Sequence, residues 1–87
     1  MNYIECQVLT VKDGEELTVG NIAVYSIPKV GEYIWFSKER LGHTSWVVED
    51  VAHWVGDGEL GSYPMGYQRV AIYAKQIGRA HVWTPVT

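Results

Sequence analysis

Apolar residues in this chain recur at every second position, in short runs cut by glycine and proline, and that spacing predicts strands. From Asn2 to Lys12, Ile4, Cys6, Val8 and Thr10 alternate with Tyr3, Glu5, Gln7 and Leu9. Asp13-Gly14 follows, two residues that tolerate positive φ, and predicts a tight turn. Leu17 to Ile27 is the second run, with Gly20-Asn21 as a bulge or bend inside it. Pro28 has no N–H for a ladder, so Pro28 to Glu32 breaks the sheet. Tyr33 to Ser37 predicts a short third strand, and the polar stretch Lys38 to Thr44 predicts a loop.

Ser45 to Val55 is the strongest strand, but its alternation slips. Trp46 and Val48 share one side, whereas Val51, His53 and Val55 fall on the other. One extra residue at Glu49-Asp50, a β-bulge, brings all five onto one face. Gly56 to Gly66, with four glycines and Pro64, predicts a long loop. Tyr67 to Lys75 predicts the fifth strand, with Val70 and Ile72 inward and Tyr67, Arg69 and Tyr73 outward. No window carries apolar residues at i, i+3, i+4 and i+7 among good helix formers. Five short strands in one small chain must curl to bury a face and hide their edges. The expectation is an all-β, single-domain fold without substantial helix: a small five-stranded SH3-like barrel, with an OB-like barrel as the alternative.

Composition agrees with an ordered domain. Hydrophobic residues make up 47% of the 87, and the chain holds four Trp and six Tyr. Large rings bury much area at low entropic cost, which helps a core this small. The net charge of −3 argues against binding nucleic acid by charge alone, which needs several Lys or Arg on the phosphates. The single cysteine, Cys6, has no partner for an internal disulfide. The first residues show no signal-peptide pattern, and no apolar run approaches the ~18 residues of a membrane span. These features lead us to expect a cytoplasmic protein.

The last eleven residues, Ile77 to Thr87, resemble the one-frame translation of a common short-read sequencing adapter, with its TGA codon read as Trp83. A CAG codon for Gln76 fits the adapter's preceding bases. The native domain is therefore expected to span residues 1–75 and residues 76–87 to be a non-native tail. Arg79, His81 and Trp83 then carry no functional meaning, and native sequence beyond Lys75 is expected to be lost.

The run from Ile27 to Ile34 reads apolar-Pro-x-x-Gly-acidic-x-apolar, and Trp46, Val48, Val51 and His53 follow it at fixed spacing. This pattern resembles short uncharacterised β-barrel proteins of bacteria and their phages, which carry a similar P-x-x-G-[DE] turn and W-x-V-x-x-V-x-H strand. The resemblance covers about half of the chain before the tail. It implies a small barrel of bacterial or phage origin, in the latter case one that works in the virion or host cytoplasm, and it implies no particular activity.

Chemistry-bearing residues are sparse. No glycine-rich phosphate loop precedes a helix, and no Cys or His spacing matches a metal site. Cys6 and His53 could be paired as nucleophile and base, but Cys6 falls in the inward row as a small hydrophobe, and His53 reads as a half-buried histidine. Glu15-Glu16, Glu49-Asp50 and Asp57-Glu59 read as solvated turn residues, and Asp57-Gly58-Glu59 lacks the ligand series of a calcium loop. No catalytic residue, cofactor or metal is expected.

Surface aromatics carry the functional expectation. If Ile34 and Phe36 point inward, Tyr33 and Trp35 point out, and Tyr25, Tyr67 and Tyr73 can join them. With Lys38 and Arg40 these residues form the candidate interaction surface. Grouped exposed rings suit a protein interface or self-association. The alternative is single-stranded nucleic acid stacked on Tyr33 and Trp35 beside Lys38 and Arg40, which the acidic balance disfavours.

Overall fold

The computed structural model describes residues 2–61 and 63–77, and the adapter-like residues from Gly78 onward lie outside the described residues. The described chain is all-β, with strands β1 (Ile4–Lys12), β2 (Glu15–Val24), β3 (Tyr33–Arg40), β4 (His43–Val55) and β5 (Gln68–Gln76). They form one sheet in the order β2-β1-β5-β4-β3. Strands that alternate in direction send the first and the fifth the same way. Placing β1 beside β5 therefore makes that pair parallel, while the hairpin pairs are antiparallel. β2 and β3 become the outer strands, and the sheet curls until they approach each other. A Cβ built on Gly20 of β2 would lie 3.6 Å from the Phe36 ring of β3. The expected five-stranded β domain is thus a half-barrel made from one sheet.

Two hairpins close through left-handed two-residue turns. Asp13 (φ 54°) and Gly14 (φ 78°) form the expected one. Leu41 (φ 52°) and Gly42 (φ 85°) form another, where the sequence predicts a polar loop over 38–44. β3 instead runs on to Arg40 and β4 starts at His43. Those residues lie at the sheet's edge, where alternation of apolar side chains is not required, so the pattern hid the strand. Trp35 faces Ser45 and Arg40 faces His43, which leaves Phe36 to Glu39 arching opposite Thr44 alone.

The bulge expected in the fourth strand is present at Glu49, because Val48 faces Ala74 and Asp50 faces Tyr73. Val51 then lies opposite Ile72 and His53 opposite Val70, on the same face as Trp46 and Val48. In the second strand the extra residue is Val19, rather than Gly20-Asn21. Val19 turns into the core at 4% exposure. That strand also starts earlier and stops sooner than the sequence suggests, since the chain bends at Tyr25-Ser26.

The Pro28 segment makes a turn in which the Glu32 amide donates to the Lys29 carbonyl at 3.0 Å and Gly31 sits at φ 94°. The Lys29 amide donates to Glu32 Oε1 at 2.6 Å. Gly31 N–H and Glu32 C=O then both pair with Val48, at 2.9 Å each, and launch β3. The glycine supplies the left-handed φ and the carboxylate caps the turn, which gives the P-x-x-G-[DE] pattern its physical content.

The core joins Cys6, Val8 and Val19 to Trp46, Val48, Val70, Ile72 and Ala74, with Ile22, Val24, Ile34, Phe36 and Val51 packed around them. Trp46 is 1% exposed, and its indole N–H donates to the His43 carbonyl at 3.2 Å, so the buried ring leaves no donor unmet. β5 ends at Gln76, opposite Trp46, and the Ile77 amide donates to the Ser45 carbonyl. The backbone ladder therefore reaches past Lys75, since main-chain pairing does not depend on which side chains are carried.

Candidate interaction surface

β3 follows the inward–outward alternation read from its sequence. Ile34 and Phe36 pack on the core, while Tyr33 (61% exposed) and Trp35 (46% exposed) stand on the outer face. Their rings meet edge to face, 6.3 Å between centroids at 68°, a favourable arrangement for two quadrupoles. Beneath them on β4 lie Val47 and Ser45. The result is an aromatic pair on an outer strand, held by a rigid ladder.

The other expected members are placed elsewhere. Tyr73 shares the outer face but lies on β5, opposite Asp50, and its hydroxyl donates to Glu16 Oε2 at 3.2 Å. Burial, and then that hydrogen bond, push its phenol pKa above the usual value. The Lys75–Glu49 ion pair, 3.7 Å long and exposed, lies on the neighbouring strands. Tyr25 joins Tyr3, with centroids 4.9 Å apart and hydroxyls 3.3 Å apart, and this contact followed by burial raises the Tyr25 pKa. Tyr67 stacks on Tyr63 at 4.2 Å and 12°. Lys38 is exposed in the β3 arch. Arg40 does not accompany Tyr33 and Trp35. Its guanidinium lies over the Phe36 ring, 5.2 Å from the centroid, beside Gly20.

Sequence reasoning left out Trp54, which is 50% exposed opposite Arg69 on the outer face. The Glu49 bulge that sends Val51 and His53 inward sends Trp54 outward, so the signal was available. Tyr3 and Tyr63 were also left out, because their ring partners, Tyr25 beyond the end of β2 and Tyr67 at the end of the same connection, are set by tertiary packing.

The Gly56–Tyr67 connection is tied down at its base. Gly56 N–H donates to the Tyr67 carbonyl at 2.8 Å, and Gly58 N–H to the Tyr63 carbonyl at 3.0 Å. Leu60 and Met65 project from it into solvent.

Cys6 and His53 flank Val70 from opposite sides, on β1 and β4. Strands separated by one neighbour stand about 10 Å apart, too far for a thiol–imidazole hydrogen bond. Cys6 is buried, its thiol points to the Ile4 carbonyl, and burial pushes its pKa up, the reverse of what activates a nucleophile. His53 is exposed rather than half-buried, although it lies opposite the buried Val70. Among the described residues no cluster of three or more His, Cys, Asp or Glu could hold a metal ion, and no helix is long and apolar enough to cross a membrane. Comparison with protein-family models, curated proteins and solved structures gives no match.

Proposed function

We propose that this protein is a non-catalytic interaction module that contacts another protein, or a second copy of itself, through the outer face of β3 around Tyr33 and Trp35. The observation that carries this reading is the exposed edge-to-face pair itself. Tyr and Trp supply large, stiff, amphipathic contact area, and interfaces are enriched in them. The contact is made face-on rather than by adding a strand. The β3 arch and the charged run Lys38-Glu39-Arg40 blunt that edge, the usual protection against strand pairing.

A nucleic-acid platform needs cations beside its rings to follow the phosphates. Arg40 is spent on Phe36, on the core side of the strand, which favours a protein partner over an oligonucleotide. The test replaces Tyr33 with a photoreactive benzoyl-phenylalanine and irradiates cells that make the full chain. A protein adduct that disappears when Trp35→Ala is added supports the reading. Absence of any protein adduct, or a salt-sensitive Trp emission shift with oligo(dT), contradicts it.

A further inference from the structure

A second site lies at the other end of the sheet. The parallel ladder between β1 and β5 begins only at Cys6 and Val70. One residue earlier, Glu5 pairs with Ala23 of β2, while Gln68 and Arg69 pair with Val55 and Trp54 of β4. β1 and β5 therefore part like a fork, and the fork opens into a cleft of about 250 Å³. Glu5, Gln7, Asn21, Tyr67, Gln68 and Arg69 line it.

The lining is organised before any ligand arrives. Gln7 Oε1 accepts from the Arg69 guanidinium, and Gln7 Nε2 donates to Thr18 Oγ1 at 3.3 Å. That chain fixes side chains from β5, β1 and β2 relative to one another. On the loop side, the ring of Tyr67 is fixed by its stack on Tyr63. Glu5 and Arg69 cancel in charge, so the lining selects neither an anion nor a cation. Its distinctive feature is two carboxamides, on Asn21 and Gln68, that offer donors and an acceptor in one plane, beside the Gln7 amide already engaged by Arg69 and Thr18.

A hydroxyl group also donates and accepts at once, and two neighbouring hydroxyls match a planar amide, carboxylate or guanidinium in bidentate fashion. A sugar ring carries such pairs along its edge and C–H groups on its faces, which pack on an aromatic ring. The volume falls below the usual ~300–1,000 Å³ range for ligand pockets, so it admits one ring rather than a chain. From these features we infer that the β1–β5 fork binds a neutral polyhydroxylated ligand, one saccharide unit. The site is independent of Tyr33 and Trp35, which lie on the outer strand β3, separated from the fork by β4.

The test is a ¹H–¹⁵N titration of the full chain with glucose, mannose, galactose and N-acetylglucosamine, each to about 100 mM, with glycine and acetate as charged probes. At least one sugar is expected to give saturable shifts confined to Glu5–Gln7, Asn21 and Gln68–Val70, with a millimolar Kd. Gln68→Ala and Asn21→Ala, exposed positions that leave the core intact, should each weaken it about three- to tenfold. Trp35→Ala should leave it unchanged. Failure of every sugar to saturate, shifts centred elsewhere, or a stronger response to glycine or acetate would overturn the inference.

Discussion

Arg40 and Phe36 close the seam of the half-barrel together. The guanidinium sits 5.2 Å from the ring centroid, and both side chains come within 3.7 Å of where a Cβ on Gly20 would stand. The two outer strands share no ladder in the sheet order, so side chains rather than backbone hydrogen bonds join them there.

Arg40→Ala removes a cation–π contact worth about 0.5–1 kcal/mol and the packing of its stem. For a domain of this size, calorimetry should show Tm falling by about 2–8 °C. An unchanged Tm would mean that the seam needs no cover.

Gly56 is required by close approach rather than by its φ. A Cβ there would lie 2.0 Å from the Pro64 carbonyl oxygen and 2.9 Å from Tyr67 Cβ. The nearest obstacle is backbone tied by the Tyr67 amide, so it cannot turn aside. Gly56→Ala should cost about 2–3 kcal/mol in urea unfolding. At Gly61, where a Cβ would meet nothing within 4 Å, the cost should be only the ~1 kcal/mol of a left-handed φ. Equal effects at the two positions would contradict this packing of the β4–β5 connection.

Burial keeps Cys6 a neutral thiol, with its pKa pushed above the ordinary thiol range. An aromatic disulfide reagent at pH 8 should label Cys6 only after denaturant is added, at the rate of global unfolding. Rapid labelling of the native protein would place the thiol outside the core.

Tyr73 has its pKa raised above 10.0, by burial first and the Glu16 hydrogen bond second. A raised folded-state value favours the protonated phenol. Its contribution to stability is fully present below pH 10 and is lost as pH climbs through the folded value. The stability difference between wild type and Tyr73→Phe should therefore shrink above pH 10. A difference constant to pH 12 would argue that the hydroxyl makes no stabilising contact.

The alternating runs made the five strands, the Glu49 bulge and the Asp13-Gly14 turn legible, because each follows from side-chain period or turn chemistry within a few residues. The end of β3 was not legible. Lys38, Glu39 and Arg40 have no inward apolar series, and Leu41 is an uncommon occupant of a left-handed turn position. The candidate surface was legible strand by strand, which placed Tyr33 and Trp35 outward on one strand. It was not legible between strands. Where Tyr25, Tyr67 and Tyr73 lie relative to Trp35 depends on the order β2-β1-β5-β4-β3, which no local pattern encodes. The β1–β5 fork was hidden for the same reason, since its lining comes from three strands and a loop.

Sedimentation equilibrium of the full chain from micromolar to millimolar concentration, for wild type and Trp35→Ala, tests the β3 face most directly. If the β3 face serves self-association, wild type associates, and the variant, with an unchanged β-type circular dichroism spectrum, stays monomeric or associates at least tenfold more weakly, a loss of about 1.4 kcal/mol; if it serves a different protein, both stay monomeric and the Trp35-dependent adduct at position 33 carries the result. Equal behaviour of the two proteins, combined with no photo-crosslinked protein at position 33, would contradict the role proposed for that face.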